Sequence, residues 1–358
     1  FMTKRALIAM SGGVDSSVAA CLIKEQGYEA IGITLKLFNN EDVGESREKT
    51  CCSLDDIQDA RRVAENLGIP YYVLNFKESF GDQVIGRFVE AYINGATPNP
   101  CIDCNRYIKF DRLLERSRQL ECDYVVTGHY AGIAYDAGSG RYLLKKGLDR
   151  SKDQSYVLYS LTQDQLAHTL LPLGQLTKPE VRGIAEAHGF INAQKRDSQD
   201  ICFVKNGDYA RFIEEYTGKN FPPGDYVDRE GRVLGRHKGI IRYTIGQRKG
   251  LGLPFDPPLF VYAKNVRDNT IVLAPEADLY TQTLEAADIN LIACPRLERP
   301  MRVTAKVRYK QPAQAATVEQ TAADRVRLTF DQPQRAIAKG QAVVFYDGDV
   351  VVGGGRIL

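Results

Sequence analysis

No apolar run in this chain approaches the roughly 20 residues needed to cross a bilayer as a helix, no segment repeats, and no tract is of low complexity. Those absences exclude a helical membrane protein and a repeat array. Net charge is nearly absent too, +2 over 358 residues, so overall charge points to no partner and only local charge can. The opening Met2-Thr3-Lys4-Arg5 leads straight into a strand-like run, unlike a secretory leader, and the cytoplasm is the expected compartment. Eight cysteines in so large a chain then suggest chemistry or core packing over a disulfide framework.

The 358 residues exceed the about 250 to 300 at which single cores stop growing, so two or three domains are expected. Over 1–205, strand-like runs at 5–10, 29–35, 71–75 and 124–127 alternate with helical patterns at 17–26, 81–94 and 108–120. One more helix follows Ser53, which caps it, with Asp56 three residues on, an apolar stripe of Ile57, Ala60 and Val63, and Gly68 past its end. This alternation predicts an α/β domain built on a doubly wound parallel sheet. The charged stretch 36–52 has no periodicity, and a loop of that length is expected to be a mobile lid or binding segment. Over 206–275 the texture changes to Gly, Pro, Arg and short β-like runs at 239–244, 258–263 and 270–273, which predicts a small central domain. Over 276–358, runs at 302–309, 315–319, 325–330 and 342–346 alternate with turn signals such as Asp347-Gly348 and predict a small antiparallel β-barrel.

The first strand ends in Ala9-Met10-Ser11-Gly12-Gly13-Val14-Asp15-Ser16-Ser17 and a helix-compatible run follows. Two glycines let the backbone approach an anion closely, and a helix start offers unpaired N–H groups and a positive dipole end. Ser16 or Ser17 is the expected cap. The Walker spacing and its lysine are absent. The run resembles instead the pyrophosphate loop of enzymes that split ATP into AMP and pyrophosphate. Ligands of such sheets sit at the carboxyl ends of the strands, so this loop, the segment after Leu35 and the turn Thr127-Gly128-His129-Tyr130 are expected to converge.

Thr97-Pro98-Asn99-Pro100-Cys101-Ile102-Asp103-Cys104-Asn105 is a proline-stiffened loop with a C-x-x-C pair, and Cys202 stands in Asp197-Ser198-Gln199-Asp200-Ile201-Cys202-Phe203. Both lie among polar residues, unlike inert core thiols. Cys104, ahead of Asn105, Arg106 and an expected helix, has the access and the positive neighbour that a reactive thiolate needs. Half a structural zinc site, a structural disulfide and plain packing are the competing readings, and no second C-x-x-C or H-x-x-H is present to complete a zinc site. Cys21, Cys51, Cys52, Cys122 and Cys294 read as packing or incidental thiols, and His168 and His188 as structural.

Together with Ser151-Lys152-Asp153-Gln154-Ser155-Tyr156, His237-Lys238-Gly239-Ile240, 243–250 and Phe345-Tyr346-Asp347-Gly348, these motifs resemble, in order and over essentially the whole chain, the bacterial tRNA-specific 2-thiouridylases of the MnmA type. The resemblance implies a PP-loop, adenine nucleotide alpha hydrolase-like catalytic domain (1–205), a tRNA-contacting central domain (206–275) and a tRNA-binding barrel (276–358). It implies sulfur transfer to C2 of the wobble uridine, U34, in the tRNAs for Lys, Glu and Gln, with ATP and Mg2+, and sulfur supplied by a sulfur-relay protein or cysteine desulfurase. Residues 9–16 and Leu35 would bind ATP, with Gly128 at the nucleotide and Asp15 orienting magnesium or pyrophosphate. Cys202 would carry a persulfide and Cys104 attack it, leaving a transient Cys104–Cys202 disulfide. Asn99, Pro100 and Cys101 would border the flipped uridine, His129, Lys152, Asp153 and Gln154 would touch tRNA, and Arg308, Tyr309 and Gln341 would do so from the barrel.

In the best-known members an aspartate stands where this chain has Cys101, and a thiol is no simple replacement for an acid or base. Asp103 is out of register for that part. Cys101, Cys104 and Cys202 instead form a set like that of related thiolases that hold a 4Fe-4S cluster, which keeps a cluster mechanism open, as it does another adenylating ligase. Independently of family, residues 229–249 hold seven Lys or Arg against Glu230 alone, and 296–310 hold six against Glu298 alone. Both stretches suit a phosphate backbone.

Overall fold

The computed structural model describes residues 3–38, 54–196, 201–252, 254 and 256–358. The expected lid at 36–52 and the Ser53 cap therefore lie largely outside the described residues, as do Cys51, Cys52 and 197–200. The chain begins β1 (Arg5–Ala9), α1 (Val14–Glu25), β2 (Glu29–Lys36), α2 (Leu54–Leu67), β3 (Tyr71–Asn75). A long helix follows: α3 (Lys77–Phe80), a π-helical stretch (Gly81–Gly86) and α4 (Arg87–Ile93). A second joins α5 (Pro100–Asp103), a π-helical stretch (Cys104–Arg112) and α6 (Leu113–Gln119). Then come β4 (Tyr124–Val126), β5 (Ala131–Asp136), β6 (Arg141–Lys146), α7 (Gln163–Ala167), β7 (Thr169–Leu170) and α8 (Lys178–Ala187).

Strand order β3-β2-β1-β4-β7, all parallel, makes the doubly wound sheet expected from sequence. Its inner strands are apolar on both faces because helices cover both. Alternation on β1 sends Leu7 into one core with Ile33, Phe88, Ile108 and Val125, and Ala6 and Ile8 into the other with Val18, Ala60 and Val181. The chain leaves β1 toward β2 on one side while β4 pairs on the other, so a switch point opens at the carboxyl end of β1.

After α9 (Tyr209–Thr217) the central sheet forms from β8 (Gly224–Val227), β9 (Val233–His237), β10 (Phe260–Asn265) and β11 (Thr270–Ala274) in the order β10-β11-β8-β9. The expected strand at 239–244 is instead a short 3-10 turn, Ile240–Arg242. Ile240 and Ile241 are both buried, and neighbouring residues cannot face one side of a strand.

The C-terminal strands are β12 (Tyr280–Leu291), β13 (Met301–Lys306), β14 (Gln314–Ala322), β15 (Arg325–Arg335), β16 (Ala342–Asp347) and β17 (Val350–Ile357). They run β12-β15-β14-β13-β16-β17, and pairing of β12 with β17 closes the antiparallel barrel. Two of these strands, β12 and β17, escaped the sequence reading. β17 contains Gly353-Gly354-Gly355, and a Cβ on Gly354 would stand 2.6 Å from the Tyr159 ring, so the glycines mark close packing within a strand. The β5–β6 hairpin also extends the barrel sheet through Lys145 and Val350, so sequence-distant segments share one sheet. No helix among the described residues is long and apolar enough to cross a membrane.

Candidate active site

The turn between β1 and α1 is held open by its own side chains. Ser16 Oγ accepts from the Ser11 N–H at 3.1 Å and donates to the Gly13 carbonyl at 3.0 Å, and Ser17 Oγ donates to the same carbonyl at 3.1 Å. Neither serine caps the helix, although the sequence led one of them to be expected there. Gly13 is the N-cap with no side chain accepting there, so the first-turn N–H groups are left for an anion. Gly12 has φ +74°, and a Cβ on it would lie 2.3 Å from the Asp56 carbonyl oxygen. Gly128, at the carboxyl end of β4, has the same function from the opposite side: its Cβ would meet the Asp15 carbonyl carbon at 2.8 Å and the Ser16 nitrogen at 2.9 Å. Leu35 lies near the end of β2, so 9–16, Leu35 and Gly128 come together along one sheet edge.

Two lysines that sequence reasoning missed define the electrostatics. Lys178 Nζ binds Asp15 Oδ1 at 2.7 Å and Oδ2 at 2.9 Å, and Tyr130 Oη donates to Oδ1 at 2.7 Å. Lys195 Nζ donates to Asp56 at 2.6 Å, Asp59 at 2.7 Å and the Gly12 carbonyl at 3.2 Å. Burial works against the Lys195 charge, but the two aspartates outweigh it and hold its pKa up. Asn192 Nδ2 adds bonds to the Gly12 carbonyl at 3.0 Å and to Ser17 Oγ at 2.9 Å. The usable signal for Lys178 was the Thr177-x-x-Glu180 capping box, which places it at the first position of α8.

The cysteine helix starts at Pro100, eight residues before the expected 108. Asn99 Oδ1 caps it by accepting from the Cys101 N–H at 3.1 Å. Cys101 is exposed on the first turn, and Cys104 follows one turn later, half-buried. Cys104 and Cys202 are both half-buried and pack at the margin of the same apolar core. Asp103 points elsewhere: it lies 3.7 Å from Arg87, and burial pushes its carboxyl up to about 6 against the pull of Arg87 and Arg106. Arg106 in turn forks onto Asp288 of the barrel at 2.6 and 3.1 Å.

The barrel closes over the same loop. Gln341 Nε2 donates to the Thr97 carbonyl at 2.7 Å, and the Thr97 N–H to the Lys339 carbonyl at 2.8 Å. Tyr309 sits 5.9 Å from Tyr156, and burial, then Asp153 and Cys101, push its hydroxyl pKa up. Lys306 Nζ stands over both rings at 5.9 and 5.7 Å. Arg308 donates to the Ala336 carbonyl at 2.7 Å.

Other expected contact residues carry the internal frame. Asp153 accepts from the Gly147 and Ser155 N–H groups at 3.1 Å each, and Gln154 Oε1 accepts from the Tyr130 N–H at 2.9 Å. Lys152, like its neighbours Asp153 and Gln154, is half-buried. His129 is buried, its ring 2.7 Å from Thr127 Oγ1, and burial, then Lys109, hold its pKa well below the usual range. The basic stretch 229–249 is partly neutralised by distant acids: Arg229 by Asp278, Arg236 by Asp225, and Arg242 by both oxygens of Glu214 at 2.7 Å.

A family model described as tRNA methyl transferase HUP domain matches 4–206, a tRNA methyl transferase PRC-barrel domain 210–275 and an aminomethyltransferase beta-barrel domain 281–357. The tRNA-specific 2-thiouridylase MnmA of Clostridioides difficile (strain 630) is 54% identical over 357 residues, spanning 100% of this chain and 99% of that protein. The namesake of Moorella thermoacetica is 54% identical over 351 residues, 98% of each. That of Acetivibrio thermocellus is 51% identical over 355 residues, 99% of each.

Proposed function

This chain belongs to the tRNA-specific 2-thiouridylase family, and we propose that it activates C2 of the wobble uridine U34 in the tRNAs for Lys, Glu and Gln with ATP and replaces the C2 oxygen with sulfur. What supports the reading is an uncapped helix start whose Asp15 is gripped by Lys178 and Tyr130, in a chain whose Cys104 and Cys202 both pack against one apolar core.

The uracil C2 carbonyl is amide-like and a poor electrophile. Attack of its oxygen on the α-phosphorus of ATP expels pyrophosphate and makes that oxygen part of an AMP leaving group. The residues present fit the nucleotide: Gly12 and Gly128 leave no room for a Cβ, the α1 N–H groups point outward, and Lys178 and Lys195 flank the loop. Magnesium would share the phosphate charge, and Asp15 is the carboxylate placed to orient it. Cys202 carries a persulfide from a sulfur-relay protein or cysteine desulfurase. The Cys104 thiolate attacks the inner sulfur, forming the Cys104–Cys202 disulfide and releasing hydrosulfide. Hydrosulfide adds to C2, AMP departs with the original oxygen, and a thiol reductant resets the disulfide. Asn99, Pro100, Cys101 and Tyr309 border the extruded base, with Lys152 and Gln341 at the rim. This chemistry takes place where tRNA and reduced thiols are found, the cytoplasm.

A second reading is favoured by one observation: Cys101 is exposed one helical turn from Cys104. With Cys202 these thiols would hold a 4Fe-4S cluster, which would supply an open iron for hydrosulfide. The deciding experiment purifies the chain without oxygen, assays iron and sulfide, and tests thiolation of a tRNA-Lys transcript by cluster-free protein with a persulfide donor. The persulfide scheme expects thiolated uridine and AMP in equal amounts. Cys104→Ser and Cys202→Ser are then expected to stop thiolation while tRNA-dependent pyrophosphate release continues. A strict requirement for iron moves the sulfur step to the cluster, and AMP formation without any thiolation leaves only an adenylating ligase.

A further inference from the structure

On the back of the catalytic domain, away from the cysteine loop, three different ligand atoms converge. Cys21 and Glu25 lie one turn apart on α1, and His188 ends α8. Cys21 Sγ is 3.4 Å from His188 Nε2 and 3.7 Å from Glu25 Oε1, and His188 Nε2 is 3.3 Å from Glu25 Oε1. A tetrahedral zinc ion with ordinary Zn–S, Zn–N and Zn–O bonds separates sulfur from nitrogen or oxygen by about 3.6 Å and nitrogen from oxygen by about 3.3 Å. The observed triangle has these edges. Among the described residues this is the one trio of histidine, cysteine or acidic ligands gathered so closely.

The chemistry of the set narrows the ion. A thiolate and an imidazole select a borderline metal over magnesium or calcium, which prefer oxygen alone. His188 is held in place around its ring and main chain: its N–H donates to the Ile184 carbonyl at 3.1 Å, its carbonyl accepts from Asn66 Nδ2 at 3.4 Å, and its ring stacks on Phe190 with centroids 5.7 Å apart. Cys21 is buried at 1% exposure, while the Glu25 and His188 side chains are 54% and 37% exposed and leave an entry path. Three protein ligands leave a fourth position for water.

We infer that Cys21, Glu25 and His188 form a zinc-type site that ties the far ends of α1 and α8. On binding, the Cys21 S–H bond gives its proton to solvent as the metal–sulfur bond forms, with no change of oxidation state. These helices present Asp15 and Lys178 to each other at their opposite ends, so the ion braces the frame of the phosphate cradle without touching it.

The test titrates Co2+, a spectroscopic stand-in for zinc, into the full metal-free chain without oxygen. Sulfur-to-cobalt absorption equal to one site is expected, retained in a Cys101→Ser/Cys104→Ser/Cys202→Ser background and lost in Cys21→Ser. His188→Gln, at a half-exposed position, guards against misfolding of the cysteine variant and is expected to weaken Zn2+ binding at least tenfold and to abolish the rise in melting temperature that Zn2+ gives the parent chain. Equal cobalt absorption in the parent and His188→Gln chains, or none in the triple-serine background, would overturn the site.

Discussion

At the scale of single residues, Asp15 is the point on which the proposed nucleotide chemistry turns. Its carboxylate is shared by Lys178 and Tyr130, so it is fixed in place at the entrance to the first turn of α1. Asp15→Ala is expected to abolish tRNA-dependent pyrophosphate release, and normal release from that variant would remove Asp15 from the adenylation step. Lys178→Met leaves the carboxylate with a single donor from this pair, and loss of a charge-assisted bond of this kind costs about 1.5–3 kcal/mol, measurable as a lowered urea midpoint. Asp103 gives a pH signature. Its folded pKa, pushed by burial to about 6, stands above the unfolded value, so the folded state holds the proton more tightly. Its contribution is therefore fully present at acid pH and is lost as pH rises from about 4 to about 6, at most about 3 kcal/mol. Urea melts across that range are expected to show Asp103→Asn gaining on the parent chain as pH rises; parallel curves would show that the carboxyl is not perturbed. The glycine loop and the cysteines were legible because their types and spacing are local. Lys178 was not, since its partner lies 163 residues away and a lysine opening a helix carries no mark of what it will meet.

At the scale of elements, the sequence pattern succeeded where one periodicity ruled. The four expected parallel strands appear within one residue of their expected ends, the inner ones because buried apolar runs between two layers of helices cannot be satisfied in another way, while the two-residue β7 is too short to carry a pattern. The cysteine helix was misplaced because Pro100 reads as a breaker, although proline is at home in a first turn behind a capping asparagine. The π-helical stretch from Cys104 to Arg112 also shifts the helical register, so a 3.6-residue pattern finds its apolar stripe only from Ile108 onward. Gly128 shows what such an element demands. Gly128→Ala would drive a Cβ into the backbone of α1 at 2.8 Å, which must be relieved by moving either the turn or the phosphate loop. The expected cost is about 1–3 kcal/mol of stability with a rise in the KM for ATP. An alanine variant with unchanged thermal midpoint and KM would mean that the turn and α1 are not held against each other.

At the scale of the whole molecule, the boundary drawn from composition at 276 is not a boundary in packing. The hairpin β5–β6 pairs with β17, and Leu144, Tyr156 and Leu158 of the N-terminal segment share a buried core with Val344, Tyr346 and Val351 of the barrel. Arg106–Asp288 and Gln341–Thr97 then fix the barrel onto the two ends of the cysteine segment. No local pattern could disclose this, because a hairpin strand looks the same whichever sheet it joins. One consequence is thermodynamic. Residues 1–275 alone would expose the large apolar side chains of that shared core, each of which gains about 1.5–3 kcal/mol by burial. The catalytic segment and barrel are therefore expected to unfold together, in a single transition seen equally by far-ultraviolet dichroism and tyrosine fluorescence. The 1–275 fragment is expected to bind a hydrophobic dye and to melt without cooperativity. Two separated transitions in the full chain, or a cooperatively folding fragment, would show the barrel to be an appendage. Coupling of this kind gives the cysteine loop its fixed position: the segment proposed to present sulfur to the activated base is anchored at Thr97 and at Arg106 by a domain that only the complete chain supplies.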